Sequence, residues 1–157
     1  MRLPSASGGP IDSFCHPDPT VGGRIRVTEA FCGLAAGAVA GLVSGAPSTT
    51  AALLTGRDPL EAVRAAGSLV GSPTLGAGAV VHVAVSLAWG VALAAVLPRR
   101  RSVLSGAAAG VAIAALDLGV VGRRFPRIRD LPSLPQVADH LAYGAVVGAV
   151  LSDCRNR

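Results

Sequence analysis

The chain has 157 residues, enough for one domain. Its apolar share is 51%, only 15% of its residues are charged, and its mean hydropathy is +0.56. A soluble domain carries about 25% charged residues, and with aromatics at 3% this chain lacks the large side chains that fill a water-soluble core. A membrane helix has no such need, because lipid supplies its apolar surroundings. The net charge is +5 and all fourteen basic residues are arginine, a bias that with so much Ala and Gly points to a high-GC coding sequence. The arginines sit at the ends of apolar runs, as flanking charges of membrane helices do. That placement argues against nucleic acid as a partner.

Residues Met1 to Gly23 are rich in Pro, Gly, Ser and Asp and lack the apolar core of a signal peptide. Residues 1–26 are therefore expected to form a disordered tail ahead of a membrane domain at 27–153. Ala30-Phe31-Cys32-Gly33 is a poor lipidation box, with no apolar stretch before it. Cys15, Cys32 and Cys154 lie far apart, without C-x-x-C spacing and in odd number, so free thiols are expected, not a zinc site or a disulfide framework.

The first span is expected over about 28–46, with Thr28 as its cap and Glu29 suited to a helix start. Pro47 then kinks the helix or opens a new one through Leu54. In the following loop, Asp58, Pro59 and Glu61 read as a helix start and Gly67 as its end, giving a short helix lying at the membrane interface. The second span, about 75–97, is the clearest: its twenty-three residues rise roughly 34 Å against a hydrocarbon core of about 30 Å. Pro98 to Ser102 is a tight turn. The third span, about 103–122, carries one charge, Asp117. Ser133 and Gln136 form a capping box for the fourth, about 134–151. That span is the weakest in hydropathy because it holds Asp139 and His140. An Asp at a helix centre costs about 2.5–3.5 kcal/mol on insertion scales, and less near an end.

Gly33, Gly37, Gly41 and Gly45 recur every four residues in the first span, Gly106 and Gly110 in the third, and Gly144 and Gly148 in the fourth. Such glycine-zipper spacing lines one helix face and lets another backbone approach closely, within the chain or in a homo-oligomer. The ionisable residues of the spans fall in one half of the membrane, next to the first and third loops. They suggest a buried polar cluster of His82, Ser86, Asp117, Asp139, His140 and Tyr143, capped by Arg123 or Arg124. An intramembrane ionisable residue is a functional candidate by default, although such a cluster also locks helices together. Two lone histidines are weak support for haem, so no cofactor and no metal are expected. There is no nucleophile elbow, no H-E-x-x-H and no phosphate loop, and thus no catalytic residue to assign.

Ser44-Gly-Ala-Pro-Ser-Thr-Thr, His82-Val-Ala-Val-Ser-Leu-Ala-Trp-Gly, Leu116-Asp-Leu-Gly-Val-Val-Gly-Arg-Arg-Phe and Leu134-Pro-Gln-Val-Ala-Asp-His-Leu-Ala-Tyr-Gly resemble stretches of a family of small four-helix integral membrane proteins from high-GC bacteria. The resemblance spans Thr28 to Leu151 and implies a class without an activity.

The expected fold is all-α: an integral membrane four-helix bundle with a short interfacial helix in its first loop. The bilayer is its expected partner and the inner (plasma) membrane its expected location. Arginine placement divides eight to six between the two sides, and the short Arg99-Arg100-Arg101 loop leans toward cytoplasmic termini. The leading functional expectation is a non-enzymatic packing, assembly or membrane-support protein. A small-solute or proton pathway through the His/Asp cluster comes second, and a haem or quinone oxidoreductase third.

Overall fold

The computed structural model describes residues 27–100 and 102–157. The tail expected over residues 1–26, with Cys15, lies outside them. Among the described residues there are helices and turns and no strand.

Helix α1 (Val27–Val43) and helix α2 (Ala46–Leu54) follow one another through a break at Ser44 and Gly45. The break has a local cause. Pro47 sits in the first turn of α2, where its fixed φ suits a helix start and its missing N–H removes a bond back to α1. Thr28 lies inside α1, one residue after its start, and does not cap it. Taken together, Val27–Leu54 runs 28 residues, past the boundary expected at Ala46.

Helix α3 (Glu61–Gly67) passes into a 3-10 turn at Ser68–Val70, and Gly71 closes that turn in the left-handed region at φ 74°. Only glycine adopts this conformation without strain. Thr74 caps helix α4 (Leu75–Val96), its hydroxyl accepting from the Ala77 amide at 3.3 Å. Helix α5 (Ser102–Leu116) continues through one π-helical turn, Asp117–Val121, into the short α6 (Gly122–Arg124). After α7 (Pro126–Arg129), helix α8 (Ser133–Asn156) closes the chain. The capping box expected at Ser133 and Gln136 does not form. Pro132 occupies the cap position and no side chain bonds the first turn, because the helix begins one residue earlier than that motif requires.

Among the described residues three segments are long and apolar enough to cross a membrane: Val27–Leu54, Leu75–Val96 and Ser102–Arg124. Helix α8 is as long but less apolar. It packs chiefly on α5, then on α1 and α2, while α4 packs on α1 and carries α3. The order across the layer is thus α4, α1, α8, α5, with α8 covered on two sides. Its Val147 and Leu151 are fully buried. The outward faces carry large apolar side chains, including Leu42 at 86%, Leu104 at 70% and Val80 at 69% exposure. Apolar surface this extensive marks a face that meets lipid or protein, not water.

The helices meet through backbone. A Cβ added at Gly144 would land on the Gly106 carbonyl, one at Gly110 on the His140 carbonyl, and one at Gly148 on the Ser102 carbonyl. On the other flank a Cβ at Gly33 would sit 2.8 Å from the Val91 Cα, and one at Gly37 3.1 Å from the Leu87 Cα. Gly41 faces the Ser86 side chain. Gly45 departs from the expected stripe: a Cβ there meets nothing within 4 Å, because the break has turned it away from α4.

The cysteines also correct an expectation. Cys32 of α1 and Cys154 of α8 form a disulfide, with Cα atoms 6.1 Å apart across 122 positions of sequence. Spacing in sequence carried no hint of it, because the pairing follows from the contact of α1 with α8. The neighbouring Arg155 donates to the Ala94 and Leu97 carbonyls, satisfying acceptors left open at the C-terminus of α4. The Glu29–Arg99 pair at 3.4 Å joins the start of α1 to the turn after α4 at the same end.

Candidate functional site

The break between α1 and α2 leaves backbone groups without helical partners, and two of the expected polar residues meet them. His82 of α4 holds the Gly41 carbonyl through Nε2 at 2.9 Å. The Ser48 amide, in the first turn of α2, donates to Asp139 Oδ1 of α8 at 2.9 Å. A carboxylate at a helix N-terminus satisfies an open amide and complements the helix dipole. Irregular backbone inside a membrane persists only where neighbouring helices re-satisfy it.

The next residue on α8 makes a different contact. His140 Nδ1 lies 2.7 Å from the Gln136 carbonyl and His140 Nε2 lies 2.9 Å from Asp117 Oδ2. The side chains of the pair retain 20% and 31% of their exposure. Asp117 opens the π-helical turn of the α5 segment, and single π turns recur at functional positions because they re-aim a side chain.

The geometry constrains the protons. A carbonyl only accepts, so Nδ1 carries the hydrogen that bonds Gln136. Neutral imidazole has one N–H, which leaves Nε2 with a lone pair facing the carboxyl group. The Nε2–Oδ2 contact therefore holds one shared proton, as carboxylic acid to imidazole or as imidazolium to carboxylate. Both forms carry no net charge. Removing the proton sets two acceptors face to face and breaks one of the bonds.

Tyr143, one turn deeper, is buried and donates its hydroxyl to the Ser86 carbonyl of α4. The expected single cluster thus resolves into the Tyr143–Ser86 bond and three further contacts. The three are His82 on α1, Asp139 on α2, and His140 with Asp117, all joined through α8 and α4. His82 is exposed and bonds backbone, not Asp117. Neither Arg123 nor Arg124 is bonded to the pair. Both ring nitrogens of His140 are engaged, and among the described residues no group of three His, Cys, Asp or Glu side chains could hold a metal ion.

A cavity of about 310 Å³ opens beside this layer, between α2, the loop before α3 and the start of α8. Its wall includes Ser48, Thr55, Glu61, Pro135 and Gln136. Ser48 is the residue that Asp139 holds, and Gln136 is the residue that His140 holds. The layer is therefore one residue from a cavity on the side of the first and third loops. Ser48 and the Gly41 carbonyl had no chemical signal of their own in the sequence, and Gln136 stood out only as a capping residue. Gly45 and Pro47 marked the break, but not what would fill it.

The rim of the cavity is set by charge. Asp58 Oδ1 accepts from the Leu60 amide at 2.9 Å, and its other oxygen pairs with Arg64. The Leu60 amide first, and Arg64 with it, hold this carboxyl below the ordinary 3.8. A lowered native value means the contribution is full above the unfolded value and is lost as pH falls through the native one. The protection factor of the Leu60 amide in hydrogen exchange is expected to drop on acidification below that range. Asp58→Ala should show the low value already at neutral pH; equal protection in the two proteins would refute the assignment.

No family model, no curated protein and no solved structure matches this chain.

Proposed function

We propose that the chain is a four-helix integral protein of the inner (plasma) membrane, and that its His140–Asp117 pair is the proton-carrying step of a pathway entered from the side of the first and third loops. Helix α8 is the fourth span on this reading, shielded by α1, α2 and α5, and lipid covers the outward apolar faces. The observation that carries the proposal is the pair of contacts His140 makes, Nδ1 to the Gln136 carbonyl at 2.7 Å and Nε2 to Asp117 Oδ2 at 2.9 Å, an arrangement that both bonds can satisfy only with one proton shared between His140 and Asp117. The broken first helix, the π turn at Asp117 and the adjoining cavity support it. Discontinuous helices at membrane depth are a recurring way to build ion and proton sites.

A second reading, packing or assembly without transport, is favoured by the backbone contacts at Gly33, Gly37, Gly106 and Gly144. The two readings part in reconstituted vesicles. With an internal pH dye, wild type is expected to relax an imposed pH gradient about tenfold faster than protein-free vesicles, as a buried ionisable relay would. Asp117→Asn is expected to return the rate to background while keeping the helical circular dichroism of wild type. A wild-type rate equal to protein-free vesicles would leave only the packing reading.

A further inference from the structure

The Cys32–Cys154 disulfide says which way the chain faces. Both cysteines lie near one end of the layer: Cys32 is in the second turn of α1 and Cys154 in the last turn of α8. Disulfides form and persist in oxidising compartments and are kept reduced in the cytosol. Closing this one takes two electrons and two protons from the thiols. An oxidised dithiol carrier accepts them by exchange and leaves as the dithiol. Arginine content does not separate the two ends: the opposite end carries Arg123, Arg124, Arg127 and Arg129 with Arg57 and Arg64, and the cysteine end carries Arg99, Arg100, Arg101, Arg155 and Arg157, so the disulfide carries the orientation.

We infer that the end bearing Cys32, Cys154 and the C-terminus faces the oxidising exterior, so that the cavity and the His140–Asp117 pair open to the cytoplasm. This reverses the orientation expected from the Arg99-Arg100-Arg101 loop, whose end also carries Arg155. That side chain is spent on the Ala94 and Leu97 carbonyls. The inference rests on the four-span reading, because α8 must cross for its two ends to lie on opposite sides.

Full-length protein is tested in intact cells, with free thiols blocked before lysis. Mass mapping without reductant should recover the Cys32 and Cys154 peptides as one linked species. A phosphatase that is active only outside the cytoplasm, fused after Arg157, should be active. In Cys15→Ser with Arg127→Cys, a membrane-impermeant maleimide should label the third loop only after the membrane is opened. Reduced cysteines in cells, or an inactive phosphatase with Arg127→Cys labelled from outside, would overturn the orientation. An active phosphatase with Arg127→Cys also labelled from outside would show that α8 does not cross. That outcome removes the four-span reading, and this inference with it.

Discussion

Gly144→Leu is expected to unfold the α5–α8 contact and lower stability by about 3 kcal/mol or more, at the upper end of the range for overpacked sites. A leucine there cannot rotate out of the way, because the first atom beyond the backbone already meets the Gly106 carbonyl. Gly106 meets Gly144 in return, so neither side has a flexible atom to yield. The helices would have to separate by about the width of a side chain and forfeit the packing of Ile113, Val147 and Leu151. Without a hydrophobic drive between helices in lipid, such close packing is the main source of association. Gly119→Leu supplies the control: a Cβ at that position meets nothing within 4 Å. Thermal or denaturant unfolding in detergent should place Gly119→Leu near wild type and Gly144→Leu far below it. Two variants of equal stability would mean that the backbone contact does not hold these helices.

Asp117→Leu is expected to cost about 1.5–3 kcal/mol, the range for losing a hydrogen bond to a charged group at a part-buried site. The His140 Nε2 atom loses the group that shares its proton, while Gln136 keeps Nδ1 engaged. His140→Leu alone should cost a similar amount, since it strands Asp117 on the π turn. The double substitution should cost clearly less than the two added, because it removes both polar groups from an apolar setting. Strict additivity in the cycle would show that the two residues do not interact. The cycle also separates stability from transport: the double variant recovers packing but has no proton to pass, so its vesicle flux should stay at background.

Much of the helix layout could be read from residue pattern. The apolar run expected over about 75–97 fell within a residue of Leu75–Val96, because an uninterrupted apolar span leaves little choice. Asp58 and Gly67 fell near the ends of α3 without capping it: Leu60 holds the cap position with no side-chain bond, and the turn runs on to Gly71. The glycine spacing pointed to close faces, but spacing does not say which helix meets which. Gly33 and Gly37 meet α4, whereas Gly106 and Gly110 meet α8. Contacts that depend on this pairing were out of reach. The Cys32–Cys154 bond needs α1 beside α8, and the Ser48 amide becomes a donor only once the helix has broken and Asp139 has come alongside. The π turn likewise answers to tertiary contact: nothing in Asp117-Leu-Gly-Val-Val marks an extra residue per turn.

The sheltered position of α8 bears on how the protein is made. On the proposed four-span reading α8 enters the membrane, and a segment carrying Asp139, His140, Asp153 and Arg155 is a poor candidate for leaving the translocon into lipid unaided. Its partners α1, α2 and α5 are all synthesised before it. The chain order thus lets the earlier helices assemble a receiving surface, with the Ser48 amide and the Asp117 carboxyl already waiting. The last helix then enters against polar groups that compensate its own. Biogenesis would be sequential, with the C-terminal segment the step most sensitive to whatever its predecessors have failed to build.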